Sequence, residues 1–232
     1  MPELKIVTLF DVDNTLLDHD HVTADLRRHL EKFVGTHRAH RYWELFEEIR
    51  AELGYADYLG ALQRYRLEHP RDPRLLEVSY YLMRYPFANR LLPGSIDAVK
   101  HAQQSGPAVI LSDGDVVFQP LKVFGSGLHE AFDGNVLIYV HKETELDDVE
   151  ERYPAEHYVV IDDKLRILEA IKKQWRSRVT TVFVRQGHYA LDPMATAQHA
   201  PADISLERIG EFSKYNYSDM LAGGGGAVSQ RA

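Results

Sequence analysis

Short apolar runs alternate with longer amphipathic stretches along most of the chain. The apolar runs are short and rich in strand-forming residues, and they predict buried strands. They span residues 5–10, 108–111, 136–140, 158–161 and 179–184. Helical spacing between these runs predicts helices over residues 95–105 and 164–175. Strands that alternate with helices favour a parallel sheet with right-handed crossovers, so the sequence predicts an α/β fold.

A long helical segment interrupts this alternation after the first strand. From about Val22 to Arg84, apolar side chains recur at helical spacing and predict four amphipathic helices. The dipeptide Asp72-Pro73 predicts one helix start, because a capping residue precedes proline at the first helical position. The predicted units are an α/β core at residues 1–18 and 92–215, a helical insert at 19–91, and a flexible tail at 216–232 that contains four consecutive glycines.

Composition and charge narrow the range of partners. The 232 residues include 27 lysines and arginines against 35 aspartates and glutamates, a formal net charge of −8. This balance repels nucleic-acid backbones and anionic membranes, so neither is expected as a partner. The absence of cysteine excludes a disulfide framework, a thiolate zinc site and a cysteine nucleophile. The first apolar run is too short for a signal peptide and no run is long enough to span a bilayer, so we expect a cytoplasmic location.

Polar residues follow four of the predicted strands. They are Asp11 and Asp13 after the first strand, Ser112, Asp113 and Gly114 after the second, Lys142 after the third, and Asp162 and Asp163 after the fourth. Ligands of parallel α/β sheets bind beyond the carboxyl ends of the strands, so we expect these side chains along one edge. One acid after a strand is commonly a turn or cap residue, but four such placements indicate a site.

The residue types at this edge indicate a particular chemistry. Several carboxylates repel one another and need a cation, and hard oxygen ligands favour Mg²⁺, which leaves positions for water and a substrate phosphate. A carboxylate beside Mg²⁺ can attack phosphorus and form an aspartyl-phosphate. An acid two residues further on can protonate the leaving oxygen and later activate water. A serine hydroxyl, backbone N–H groups and a lysine would bind the phosphoryl oxygens.

The same residues resemble the four motifs of the haloacid dehalogenase-like (HAD) phosphohydrolase superfamily. Phe-Asp-Val-Asp-Asn-Thr-Leu at residues 10–16 resembles the first motif, residues 111–114 the second, Lys142 the third and residues 160–163 the fourth. They occur in the family's order, within residues 5 to 185. The resemblance implies a Rossmann-like parallel sheet core with an inserted α-helical cap domain between the first and second motifs, where the helical segment lies.

The resemblance also implies roles for the motif residues. The implied catalytic residues are Asp11 as nucleophile, Asp13 as general acid and base, and Ser112 and Lys142 as contacts of the transferring phosphoryl group. The implied Mg²⁺ ligands are the Asp11 carboxylate, the Asp13 backbone carbonyl and Asp162, with Asp163 in support. The implied phosphate-binding residues are Ser112, Asp113, Gly114 and Lys142.

Two positions depart from the family pattern. Position 14 is asparagine where glycine is most usual, which stiffens the turn after the first strand. Many members carry a second acid four residues after the first acid of the fourth motif, but Arg166 stands there. The adjacent Asp163 is therefore assigned to support Asp162.

The insert occupies the place of the family's cap, and a closing cap excludes water and selects the substrate. A small phosphorylated metabolite is the expected partner, while the oligomeric state is open. The insert holds seven of the 13 tyrosines together with Arg41, Arg64, Arg66 and Arg84, whose spacing favours packing and solvated positions. The pairs His19/His21 and His37/His40 lack a third ligand at regular spacing, which favours surface positions. His188 follows the fifth strand and is a candidate lining residue.

The leading function is a Mg²⁺-dependent phosphatase, and three alternatives remain open. A phosphomutase would keep every motif. A haloacid dehalogenase also uses a nucleophilic aspartate, but halide leaves without a proton, so an acid such as Asp13 favours phosphate chemistry. A non-enzymatic phospho-receiver would be about half this length and would have no insert.

Overall fold

A computed structural model describes residues 5–222, and within them the chain forms a six-stranded parallel sheet. The strands are β1 (Ile6–Phe10), β2 (Ala108–Asp113), β3 (Val136–Tyr139), β4 (His157–Asp162), β5 (Val179–Val184) and β6 (Ile204–Leu206). Their order across the sheet is β3-β2-β1-β4-β5-β6, and every neighbouring pair is parallel. The predicted α/β fold is confirmed, and the five predicted strands are present.

Helices occupy most of the rest of the described chain. The insert between β1 and β2 contains α1 (His19–Val34), α2 (Thr36–Leu53), α3 (Tyr58–Glu68) and α4 (Leu75–Met83). The remaining helices are α5 (Ser95–Gln103), α6 (Phe118–Gly125), α7 (Leu128–Ala131), α8 (Leu146–Arg152), α9 (Leu165–Trp175), α10 (Gly187–Leu191), α11 (Pro193–Thr196) and α12 (Tyr217–Ala222). Short 3₁₀ turns cover Phe87–Arg90, Lys142–Thr144, Arg176–Arg178 and Ile209–Lys214. Within residues 5–222, no helix is both long and apolar enough to cross a bilayer.

Strand register aligns the carboxyl ends of the three central strands. Phe10 of β1 pairs with Ile110 of β2 on one side and with Ile161 of β4 on the other. The backbone N–H of Asp11 continues this ladder and donates to the carbonyl oxygen of Ile161 at 2.9 Å. Asp11 and Asp162 are therefore neighbours, as expected for residues that follow paired parallel strands.

The sheet is covered on both faces, which explains why its strands are continuous apolar runs. Neighbouring residues of one strand point to opposite faces, so Leu9 and Phe10 belong to different apolar clusters. One cluster packs α9 against the sheet through residues such as Ile167 and Ile171. The other extends without a break into the insert, where Tyr42 is fully buried. The insert is thus held to the core by shared apolar packing.

Three segments differ from the sequence prediction. The strand β6 was not predicted, because its three residues are too few to form a recognisable strand pattern. Helix α4 begins at Leu75 and not at Asp72-Pro73, since the Asp72 carboxylate accepts the backbone N–H of Arg74 and forms a turn before the helix. Part of the predicted flexible tail, residues 216–222, contains α12. The side chain of Tyr217 in α12 is buried, and its hydroxyl oxygen lies 2.7 Å from the hydroxyl oxygen of Thr8. Residues 223–232 lie outside the described residues.

Candidate active site

Lys142 begins the 3₁₀ turn that follows the outermost strand β3, is 1% exposed, and extends its side chain to the ends of the central strands. Its Nζ lies 2.6 Å from Asp11 Oδ1 and 2.6 Å from Asp162 Oδ2, and it donates to the carbonyl oxygen of Leu111 at 3.1 Å. Burial alone lowers the pKa of Lys142, but the charges of Asp11 and Asp162 raise it well above its ordinary range. Lys142 is therefore a charged group that joins the ends of β1, β2 and β4.

Three buried carboxylates form a cluster at the same edge. Oxygens of Asp11, Asp162 and Asp163 all lie within 4.8 Å of one another. Asp11 Oδ2 and both carboxylate oxygens of Asp163 have no hydrogen-bond partner among residues 5–222. Burial and the neighbouring carboxylates raise the pKa of Asp162, and they raise that of Asp163 well above its ordinary range. Unpartnered, buried, hard oxygens fit a divalent cation such as Mg²⁺, and these three residues would hold it.

The Asp13 carboxylate is not part of this cluster and is bound instead by Lys122 of α6. The Nζ of Lys122, whose side chain is 3% exposed, lies 2.6 and 2.8 Å from the two oxygens of Asp13. Burial alone raises the pKa of Asp13, but His19 and Lys122 lower it to about 2. Asp13 is thus an ionised carboxylate at neutral pH.

His19 completes this group from the first turn of α1. Its Nδ1 lies 3.5 Å from Asp13 Oδ1 and 3.4 Å from Lys122 Nζ, while its Nε2 lies 2.9 Å from the Tyr58 hydroxyl. Burial lowers the pKa of His19 to about 4; Asp13 opposes this shift and Lys122 adds to it. His19 is therefore neutral at neutral pH, which leaves Lys122 to balance the charge of Asp13. The predicted surface position is wrong for His19 but correct for His21, which is exposed.

Ser112 is buried at the end of β2 and is oriented by Gln119 of α6. Gln119 Nε2 donates to Ser112 Oγ at 2.8 Å, and both residues are at most 2% exposed. The hydroxyl's contact with the carbonyl oxygen of Asp113 is long, at 3.4 Å. Because Ser112 accepts from Gln119, its own hydrogen remains available for an acceptor in the site.

Hydrogen bonds of Asp113 and Gly114 stabilise the loop that carries Lys142. Asp113 Oδ1 accepts the backbone N–H of Lys142 at 2.8 Å, and the Gly114 N–H donates to the carbonyl oxygen of Tyr139 at 2.9 Å. Gly114 is a phosphate-binding residue by the family resemblance, but its N–H is thus engaged within the protein. A side chain at position 114 would lie 2.6 Å from the Cβ of Gln119, which explains the glycine.

Asn14 adopts a left-handed backbone conformation with φ of 60°, which explains why asparagine replaces glycine here. Its side chain donates to Asp20 Oδ1 at 3.0 Å and accepts the backbone N–H of Asp20 at 3.1 Å. Asp20 also accepts the His188 backbone N–H at 2.8 Å and lies 2.6 Å from His188 Nδ1. These contacts connect the turn after β1, the start of α1 and the loop after β5.

A cavity of about 700 Å³ separates the insert from the site edge. Its walls from the insert include Arg27, Trp43, Phe46, Arg50, Tyr55 and Tyr58, and its walls from the core include Asp13, Lys122, Asp163, Lys164 and His188. The candidate lining position of His188 is confirmed. The guanidinium of Arg50 also donates to the Tyr189 hydroxyl, so the insert contacts the core across the cavity.

Most of the remaining charged and tyrosine side chains of the insert lie away from this cavity. Arg41 pairs with Glu68 and Arg64 with Glu52 near the surface, as expected of solvated arginines. Tyr42 and Tyr65 are buried in packing contacts. The sequence did not identify Lys122, Gln119 or His19 as site residues. Only Lys122 carried a possible signal, as a lysine near the end of a largely apolar helix.

The fold and the acidic edge together define an α/β protein whose site lies between a parallel sheet and a helical insert. A family model described as haloacid dehalogenase-like hydrolase matches residues 7–174. No match was found among curated proteins. The match covers most of the chain, which therefore belongs to the haloacid dehalogenase-like hydrolase family. It is an enzyme, so the phospho-receiver alternative is not retained.

Solved structures of related proteins agree with this assignment. A haloacid dehalogenase-like hydrolase from Burkholderia xenovorans LB400 is 60% identical, with 92% of this chain and 99% of that chain covered and a TM-score of 0.88. The magnesium-bound HAD hydrolase YfnB from Bacillus subtilis is 16% identical over 91% of this chain and 98% of that chain, with a TM-score of 0.58. The L-2-haloacid dehalogenase from Xanthobacter autotrophicus is 19% identical, with 90% of this chain and 96% of that chain covered and a TM-score of 0.58. The last two likenesses concern the fold alone.

Proposed function

We propose that the protein is a Mg²⁺-dependent phosphatase that hydrolyses a small phosphorylated metabolite through an aspartyl-phosphate. The observation that carries this proposal is the buried cluster of Asp11, Asp162 and Asp163 with its unpartnered oxygens. Such a cluster is costly unless a cation binds it, and a phosphate monoester adds further negative charge. When bound there, Mg²⁺ would neutralise the developing charge on the phosphoryl oxygens.

Asp11 would be the nucleophile. Asp11 Oδ1 lies 2.6 Å from Lys142 Nζ and Oδ2 has no partner among the described residues, so one oxygen can face the cation while the other attacks phosphorus. As a bond forms between an Asp11 oxygen and phosphorus, the bond from phosphorus to the substrate alcohol breaks. Water then attacks phosphorus, which releases inorganic phosphate and regenerates the Asp11 carboxylate. Lys142 and the Ser112 hydroxyl would donate to the phosphoryl oxygens in both steps.

Asp13 would give a proton to the leaving alcohol and then take one from the attacking water. Lys122 keeps Asp13 ionised in the structure, with a pKa of about 2. An incoming phosphate adds like charge next to Asp13 and competes for the ammonium of Lys122, and both effects raise the pKa of Asp13. The proton-accepting form is thus the resting form, and substrate binding favours the proton-donating one.

The test is hydrolysis of 4-nitrophenyl phosphate and a set of phosphorylated metabolites by the purified protein, with Mg²⁺ or with a chelator. We expect release of inorganic phosphate that requires Mg²⁺ and disappears in Asp11→Asn, because no covalent intermediate can form. The exposed acid Asp97 on α5 is a matched control, and Asp97→Asn should retain full activity. Full turnover after exhaustive chelation would contradict the metal-dependent mechanism, and an isomerised product without free phosphate would indicate a phosphomutase.

One observation favours a second candidate, a haloacid dehalogenase. Lys142 already lies 2.6 Å from both Asp11 and Asp162, so part of the negative charge is compensated without a metal. A 2-haloacid would then be attacked at carbon by Asp11, with loss of halide. Halide release from 2-chloropropionate that persists in chelator, together with inert phosphate esters, would establish this reaction instead.

A further inference from the structure

One face of α1 leads from the proposed acid to the far wall of the cavity. His19, Thr23 and Arg27 are spaced four residues apart, so they share a face of the helix, and all three line the cavity. His19 is the member beside Asp13, with Nδ1 at 3.5 Å from Oδ1. At 1.5 Å of rise per residue, the Cα of Arg27 lies about 12 Å further along the helix than that of His19.

Arg27 differs from the other arginines of the cavity in having no carboxylate partner. Arg50 lies 3.5 Å from Glu47, and Arg166 lies 2.5 Å from Glu143. No carboxylate oxygen lies within 4.0 Å of the Arg27 side chain in the described part of the chain. A guanidinium at a cavity wall can bind a carboxylate or a phosphate through two parallel hydrogen bonds.

Trp43 of α2 lies against Arg27 at the same wall. The Cζ of Arg27 lies 4.5 Å from the ring centroid of Trp43, a cation–π contact that restricts the arginine before any ligand arrives. Trp43 is 8% exposed and lines the cavity beside Arg27. The stacked ring leaves the N–H groups of the guanidinium edge free to donate to an anion.

We propose that the leaving group of the substrate carries a second anionic group, a carboxylate or a phosphate, that binds Arg27. The inference rests on the proposed function, since the first anionic group is the phosphoryl group transferred to Asp11. Side chains of a helix lean towards its N-terminus, so the Arg27 guanidinium lies closer to the His19 end of α1 than its Cα does. The substrate class is therefore a phosphate monoester with an anionic far end.

The test uses phosphonates, which bind a phosphoryl site but are not hydrolysed. Three series of increasing chain length are compared by calorimetry in Mg²⁺: alkylphosphonates, phosphonates ending in a carboxylate, and bisphosphonates. At the best length, an anionic end should improve the affinity of the native protein by tenfold or more, which corresponds to about 1.4 kcal/mol. The two anionic series distinguish a carboxylate from a phosphate as the bound group.

Variants assign the effect to Arg27. Arg27→Gln should abolish the preference for anionic ends and leave the affinity for alkylphosphonates within twofold, and Arg27→Lys should retain part of the preference. Arg66→Gln is the matched control, because Arg66 is an exposed arginine of the insert that lacks an ion-pair partner in the described chain and lies outside the cavity wall. The control should keep the full preference.

Three results would overturn the proposal: a native protein indifferent to the end group, a preference that survives Arg27→Gln, or an equal loss in Arg66→Gln. Absence of phosphonate binding would also count against it. Failure of the proposed function is a separate result. If the protein prefers anionic ends but does not hydrolyse 4-nitrophenyl phosphate, the Arg27 subsite stands and the phosphatase assignment fails. If it hydrolyses 4-nitrophenyl phosphate but shows no end-group preference, the phosphatase assignment stands and the Arg27 subsite fails.

Discussion

Replacing Lys122 with methionine removes the ammonium group that binds Asp13 and keeps a side chain of similar length. Lys122 Nζ lies within 2.8 Å of both Asp13 oxygens, and the lysine side chain is 3% exposed. Loss of the ammonium leaves a partly buried carboxylate without its counter-charge, which is a recognised cause of strong destabilisation. We expect Lys122→Met to lower the free energy of unfolding at neutral pH.

The magnitude follows from the pKa of Asp13. A pKa lowered from 3.8 to about 2 corresponds to about 2 kcal/mol of stabilisation, and this is an upper value at pH 7 because His19, which contributes to the shift when charged, is neutral there. Because the folded-state pKa is the lower one, this stabilisation is present above pH 3.8 and is lost as the pH falls through about 2. In the variant, burial acts without the ammonium and raises the pKa of Asp13. The loss at pH 7 should therefore be about 2 kcal/mol, as for a hydrogen bond to a charged group, and should narrow on acidification.

The assay is urea unfolding of the native protein, Lys122→Met, Asp13→Asn and the double variant. The double-mutant cycle should give a coupling energy of about 2 kcal/mol between the two residues. Lys100→Met controls for the loss of an exposed lysine on α5 and should change stability by less than about 0.5 kcal/mol. A coupling energy near zero, or an equal loss in Lys100→Met, would refute the assigned role of the ion pair.

Two further predictions concern the chemistry at the edge of the sheet. Asp13→Asn should reduce turnover of alkyl phosphates far more than the first step with 4-nitrophenyl phosphate, because nitrophenolate leaves without a proton; equal losses in single-turnover measurements would argue that Asp13 has only a structural role. Gln119→Leu should lower kcat/KM by about tenfold, since Ser112 loses the donor that orients its hydroxyl. That loss should disappear in a Ser112→Ala background, and its persistence there would show that Gln119 acts elsewhere.

Much of the fold and part of the site follow from the sequence for a simple physical reason. Strands buried on both faces are continuous apolar runs, and such runs are visible without any tertiary information. Once the strands are parallel, the residues that follow them share one edge. For this reason Asp11, Asp162 and Lys142 could be placed together although up to 151 positions separate them. In the structure, Lys142 Nζ lies 2.6 Å from a carboxylate oxygen of each aspartate.

The residues that the sequence did not reveal lie on helices, where position along the chain does not determine the neighbour. Lys122 could equally be a solvated lysine near the end of α6, and only the packing of α6 against the sheet places it 2.6 Å from Asp13. Gln119 is hidden for the same reason. His19 has a sequence position that favours the surface, but the insert folds over it and brings Tyr58 to 2.9 Å from its ring.

The balance of charge at the site bears on which reaction it serves. Four carboxylates, those of Asp11, Asp13, Asp162 and Asp163, face three ammonium groups, and the third of these, Lys164, has a pKa raised by the carboxylates around it. A haloacid would add one negative charge, whereas a phosphate dianion would add two to a site that already holds four carboxylates. The lysines alone do not compensate the two charges of a bound phosphate dianion, whereas a bound dication does. Oxygens of Asp11 and Asp163 without partners among residues 5–222 are the groups available to such an ion. Metal dependence and phosphate chemistry are therefore expected to occur together in this site.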